Sequence, residues 1–281
     1  MKIRTKIIFF AVITVFVVIL NSCAGLRDAG QANERAPLIY TTGWYDDGRL
    51  SPKYITYERK EELFLFTEEK LNSPRLDFSV DTLDILDEQE RKLLQQFLYE
   101  NLSCQDYVSK LFDKIKTDYM ETKDEAMSQP GRSYDWTYTE GFDGRVYPSI
   151  FVISRSRYTL SGGAHGQNEK TFFVLDKELR SKVELDDILE DGARVSLQKQ
   201  IDDSLRARYH AAPDAPLTSI GFLEETAGVP GNFFVSREGL GFCWNPYEIT
   251  PYVMGAIDVV LPYVDIENLL NDRGKALFSG L

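Results

Sequence analysis

The sequence predicts an α+β protein: mainly antiparallel sheets packed with helices, arranged as two small α+β subdomains. Three observations carry this. Strand-like and helix-like segments come in clusters and not in strict β-α-β alternation. A single long stretch, Asp87 to about Ala126, holds its apolar residues at helical spacing. A chain of 281 residues is one large domain or two small ones, and its 43% hydrophobic and 12% aromatic content is ample for a packed core.

Taken in order, the elements justify that class. Tyr40–Thr67 is rich in aromatic and β-branched residues around an Asp46-Asp47-Gly48 turn and reads as one or two strands. Arg75–Ile85 alternates Leu76, Phe78 and Val80 with polar neighbours, the mark of a half-buried strand. Asp87 is placed to cap the long helical stretch, with Glu90 three residues on completing a capping box. Asn101-Leu102-Ser103 breaks that stretch, and Ser103 caps a second helix. Tyr134–Thr139 and Arg145–Tyr158 read as strands turning at Gly141-Phe142-Asp143-Gly144. Thr171–Leu175 is a further strand. Glu184–Gly192 is a short helical turn, and Leu197, Ile201, Leu205 and Tyr209 mark an amphipathic helix. Asn232–Ser236 and Leu240–Trp244 form a hairpin across Arg237-Glu238-Gly239, Ala256–Tyr263 is a last strand, and a short helix follows from Asp265.

The N-terminus is an address. Lys2, Arg4 and Lys6 precede an apolar run from Ile7 to Leu20, too short for a spanning helix and typical of a secretory signal peptide. Leu20-Asn21-Ser22-Cys23 then resembles a bacterial lipobox, which implies cleavage before Cys23 and lipidation of its thiol. The expected organisation is a signal peptide at 1–22, a tether at 23–37, an N-terminal α+β domain at 38–157 and a C-terminal one at 158–281. The expected location is the bacterial cell envelope, lipid-anchored, at the outer membrane where one exists.

Charge narrows the partners. The net charge of −12 becomes −15 on 259 residues once residues 1–22 are removed, because that segment holds three cations and no acid. Such a chain is not a nucleic-acid binder, since that affinity comes largely from Lys and Arg. With two histidines and three cysteines, zinc ribbons and disulfide-stapled folds are excluded. Asp46-Asp47, Asp186-Asp187 and Asp202-Asp203 lack calcium-loop spacing, so no metal and no cofactor are expected. Export permits a disulfide between Cys104 and Cys243, and two unpaired thiols are the other reading.

Two strings are the most specific. Ser161-Gly162-Gly163-Ala164-His165-Gly166 sits between strands, and its glycines permit close backbone approach. It either presents His165 to a pocket or makes a tight connection. Asn245-Pro246-Tyr247-Glu248-Ile249-Thr250-Pro251-Tyr252 is a rigid turn whose tyrosines and Glu248 either line a cleft or pack on the sheet. The candidate ligand-binding residues are therefore Gly162, Gly163, His165, Gly166, Asn245, Tyr247, Glu248 and Tyr252. No catalytic residue is assigned.

These strings, with ELDDILEDG, FFVSREGLGFCWNPYEITPY and IDVVLPY, carry a family resemblance. They look like the RsiV-like domains of unknown function, found outside the membrane in an anti-sigma factor and in the non-catalytic region of the deacetylase PdaC. The resemblance is specific over residues 158–270, and a PdaC-like companion domain corresponds to the segment before it. It implies a non-enzymatic binding module, with lysozyme or another basic glycan hydrolase as the named ligand and peptidoglycan as another. An acidic surface steers basic partners, which agrees with that implication. The alternative is a cell-wall glycan-acting enzyme using His165 or Glu248.

Overall fold

A computed structural model describes residues 40–42, 45–46, 49–50, 53–62, 75–85, 87–127, 135–162 and 165–281. These belong to one compact unit that begins at Arg35. The signal segment, Cys23, the tether, Asp47 and Gly163 lie outside the described residues.

Among the described residues, seven strands form one sheet in the order β1-β4-β5-β6-β7-β8-β9. They are β1 (Tyr40–Thr42), β4 (Lys53–Glu62), β5 (Arg75–Asp84), β6 (Trp136–Val146), β7 (Ile150–Ser161), β8 (Gln167–Asp176) and β9 (Ser181–Lys182). β2 (Tyr45–Asp46) and β3 (Arg49–Leu50) make a separate small hairpin. The pairs in the large sheet are antiparallel except β5–β6, which is parallel. That exception has a cause: α1 (Glu88–Leu98) and α2 (Cys104–Met127) carry the chain back between those strands, as a parallel pair requires. A second sheet, β10 (Phe233–Ser236), β11 (Gly239–Trp244) and β12 (Ile257–Pro262), is antiparallel throughout. α3 (Ala193–Arg208) precedes it, and α4 (Tyr263–Ile266) and α5 (Asp272–Ser279) close the chain. The α+β class holds.

The helix caps follow the sequence closely. The Asp87 carboxylate accepts from the N–H groups of Gln89 and Glu90, both at 2.9 Å. Ser103 accepts from the Asp106 N–H at the start of α2. Glu90 departs from the expected capping box: its carboxylate turns to Lys177 at 2.8 Å.

Strand periodicity creates two cores from one sheet. Side chains alternate across a strand, so Phe151 and Ile153 of β7 join the core under α1 and α2, while Ile150 and Val152 join the core under α3 and the second sheet. The boundary expected at 157/158 falls inside β7, which stays paired to both neighbours on either side of it.

Two sequence readings are corrected. Gly141–Gly144 is not a turn: β6 runs straight through it with Phe142 buried, and the reversal comes at Tyr147–Ser149 around Pro148. Neither glycine has a positive φ, so neither is bent as a primed turn would demand. The C-terminus holds α5 beyond the expected short helix, capped by Asn271, whose side chain accepts from the Gly274 N–H at 2.9 Å. Of the two readings of the cysteines, Cys104 and Cys243 follow the unpaired one: both are free thiols. Cys104 opens α2 with its Sγ 3.5 Å from the Leu83 carbonyl, whereas Cys243 lies in β11 of the other sheet, its thiol pushed up by burial and by Asp258. No helix among the described residues is long and apolar enough to cross a membrane.

Candidate functional site

The two singled-out strings meet at the outer edge of β8. Alternate residues of an antiparallel strand turn their backbone groups to opposite neighbours, so one row of β8 groups faces away from β7. Side chains, not a strand, close this edge. The Asn245 amide accepts from the Lys170 N–H at 2.6 Å and donates back to the Lys170 carbonyl at 3.3 Å. Asn232 accepts from the Phe172 N–H at 2.8 Å and donates to the carbonyls of Lys170 at 2.8 Å and Cys243 at 3.2 Å. Two amides thus imitate a strand, each offering a donor and an acceptor as a peptide group does. They fasten both ends of the β10–β11 hairpin to β8.

Further along the same edge, the Tyr252 hydroxyl donates to the Gly166 carbonyl at 2.7 Å. The His165 Nδ1 lies 3.2 Å from that carbonyl oxygen. The His165 ring stacks on Tyr252 with centroids 4.1 Å apart at 21°, and Tyr247 stacks on Tyr252 at 5.7 Å and 27°. Tyr252 is the ring common to both contacts. Gly166 lets the chain pass close to the Tyr158 ring, which a Cβ there would have to displace. Gly162 takes a positive φ of 71°, which turns the chain out of β7.

The turn that carries the tyrosines is internally tied. Glu248 accepts from the Asn245 N–H at 2.8 Å, the Glu248 N–H donates to the Asn245 carbonyl at 3.0 Å, and Tyr247 N–H donates to the Thr250 carbonyl at 3.0 Å. Ile249 and Thr250 are buried beneath it. Tyr247 pays for the tight turn with a φ of 73°, a costly conformation for a side chain of its size. Its ring stays 56% exposed, and Val253 at 89% and Leu223 at 48% add apolar surface beside it. Leu223 is held there by its N–H bond to the Ile249 carbonyl at 2.9 Å.

The structure therefore brings together His165, Gly166, Asn245, Tyr247, Glu248 and Tyr252, with Gly162 at the margin. Asn245 and Glu248 are consumed in holding the turn, and the rings form its outer surface. His165 contacts a ring and a carbonyl, and Glu248 a backbone N–H. This is an arrangement for stacking and apolar contact, with both ionisable groups of the strings in positioning contacts.

Asn232 is the residue that sequence reasoning overlooked. Its signal was its place just before the hairpin, where an amide side chain can bond neighbouring backbone. A second overlooked cluster lies on the opposite face of the sheet. Glu140, fully buried, accepts from Tyr107 at 2.6 Å, Tyr138 at 2.9 Å, and Arg157 Nε and Nη2 at 3.1 Å each. Arg157 also reaches Glu169 at 3.2 Å. Burial, and next the Glu140 carboxylate, push both phenols well above the ordinary tyrosine value. Once β6 runs through Gly141–Gly144, period-two alternation with Tyr138 and Phe142 places Glu140 on the core face, a signal that reading those residues as a turn concealed.

Residues 186–264 match the family model of a protein of unknown function, DUF3298. Tyr247 and Tyr252 fall inside that segment and His165 outside it. A solved DUF3298 family member from Bacteroides fragilis is 20% identical, with a TM-score of 0.69 over 82% of this chain and 96% of that one. A DUF3298 family protein from Pseudomonas aeruginosa is 17% identical, with a TM-score of 0.51 over 77% of this chain and 94% of that one. At these identities the likeness establishes the fold. No curated protein matches the chain.

Proposed function

We propose that this chain is a lipid-anchored, non-enzymatic binding module of the bacterial cell envelope, and that its recognition surface is the ring-bearing turn at Tyr247 and Tyr252 with His165. The supporting observation is the exposed Tyr247, held at a positive φ and stacked on Tyr252 beside Val253 and Leu223. Tyrosine anchors ringed by apolar contacts are what protein-binding hot spots are made of. Strain in a turn is tolerated where its surroundings over-determine it, and such turns cluster at binding sites. The net charge of −15 after signal removal favours a basic partner. A glycan hydrolase of the lysozyme type is the leading ligand, and the RsiV-like strings and the lipobox at Cys23 support that reading and the envelope location. Of the residues named for the enzyme alternative, Glu248 accepts from the Asn245 N–H and the His165 Nδ1 lies beside the Gly166 carbonyl, contacts that support the non-enzymatic reading.

The test is a titration of the full chain in detergent with lysozyme, at low salt and at about 0.15 M salt. Saturable binding at both, weakened but not abolished by salt, is the expected result. Absence of binding at low salt overturns the lysozyme assignment. Binding that vanishes at the higher salt reduces the contact to general charge attraction and overturns specific recognition.

A further inference from the structure

A cleft of about 500 Å³ that shares no residue with the ring site opens between α1 and the adjacent β6–β7 and β8–β9 turns. Its volume lies within the range of small-molecule sites. Pro148 supplies an exposed apolar wall, Glu90 and Glu178 acidic groups, and Lys177 and Arg180 cationic ones, while Leu93 is wholly buried behind the lining. None of these lies in the segment 186–264 that matches the family model.

Each charged group is held in a way that its local sequence alone does not require. Glu90 stands where a capping box would turn it back on Asp87, and it bonds Lys177 at 2.8 Å instead. The Lys177 side chain is only 16% exposed, and its ammonium lies 4.5 Å above the centre of the buried Phe151 ring. That pair uses one carboxylate oxygen and one ammonium proton, so both partners keep capacity for a ligand. Arg180 has a positive φ of 52°, uncommon for a residue with a long side chain, and its Nη1 lies 3.4 Å from the Gln89 carbonyl across the cleft. Two cations and two acids line the cleft around Pro148 with no net charge between them, on a chain whose overall charge is −12. A simple anion would meet the repulsion of the whole chain, and a simple cation would meet Lys177 and Arg180.

The geometry points to a binding site for a small zwitterion of the α-amino-acid class with a short aliphatic side chain. Its carboxylate lies between Lys177 and Arg180, its ammonium faces Glu90, and its short side chain rests on Pro148.

Isothermal titration of the full chain in detergent with alanine tests this, with propionate and ethylamine as single-charge comparators. Alanine is expected to bind saturably, with each comparator at least tenfold weaker. Arg180→Gly removes the guanidinium at a position whose φ glycine accepts, so it should hold the wild-type Tm and weaken alanine binding at least tenfold. Lys177→Met, which keeps the side-chain stem over Phe151, should weaken it likewise. No saturable heat with alanine up to about 20 mM overturns the site. Propionate equal to alanine overturns the zwitterion. Wild-type affinity in both variants overturns the placement.

Discussion

Strand β7 serves two regions built on opposite strategies. On the face of Phe151 and Ile153, α1 and α2 cover the sheet with apolar side chains, and one buried carboxylate, Glu140, is satisfied by Tyr107, Tyr138 and Arg157. On the face of Ile150 and Val152, α3 and the second sheet form the other core, and the edge of β8 is closed by the amides of Asn232 and Asn245. The first region satisfies its buried carboxylate with side chains of its own. The second turns its amides to backbone and leaves His165, Tyr247 and Val253 outward. The contrast teaches what the ring surface depends on: amides fasten the hairpin beneath it to β8.

Four substitutions test that contrast. Glu140→Ala strands three donors and leaves Arg157 half-buried against nothing but Glu169, so a loss of about 3–5 kcal/mol in denaturant unfolding is expected. A loss below about 1 kcal/mol would show that the network contributes no more than an exposed pair does. Asn232→Ala removes three hydrogen bonds and leaves the Phe172 N–H open, with an expected loss of about 2–3 kcal/mol. It should also expose β8 edge amides to faster hydrogen exchange, while the helical face stays protected. Tyr247→Gly separates recognition from stability. Glycine accepts the positive φ, so unfolding stability should hold or rise by about 1 kcal/mol while lysozyme affinity falls at least tenfold. A variant that binds as tightly as wild type removes Tyr247 from the recognition surface.

The smallest effect is a pH dependence. Burial raises the Asp202 carboxyl above the ordinary aspartate value, against the Ala227 N–H bond that favours the ionised form. The folded state therefore holds this proton more tightly than the unfolded chain does. Stability linked to Asp202 rises as pH falls from neutrality through its raised range, and levels off below the unfolded value. Asp202→Asn keeps an acceptor for Ala227 and lacks that rise. The Tm of wild type relative to this variant should increase between pH 7 and pH 4, and a constant difference would refute the assignment.

The helical region was the more legible of the two. Asp87, Ser103 and the apolar spacing of Leu93, Leu94, Val108 and Phe112 located both helices, because caps and periodicity are local. The hairpin at Arg237-Glu238 was legible for the same reason. Gly141–Gly144 misled, since a glycine pair signals a turn only when neighbouring strands do not extend it, and β5 and β7 do. At the candidate site, the strings around His165 and Tyr247 stood out by their glycines and prolines. Their junction did not, because Asn245 and Lys170 are 75 residues apart and no local pattern encodes that bond.

By itself, then, the sequence determined the α+β class, both helices of the first core, the acid excess and the residues worth testing. Each depends on composition or on neighbours a few positions apart. Only the tertiary structure decided that one strand serves two cores, that Glu90 leaves its cap for Lys177, and that two amides bring His165 onto Tyr252. Those outcomes depend on which distant backbone groups remain unpaired once the sheet is built, and an unpaired buried group is costly enough to recruit whatever side chain can reach it.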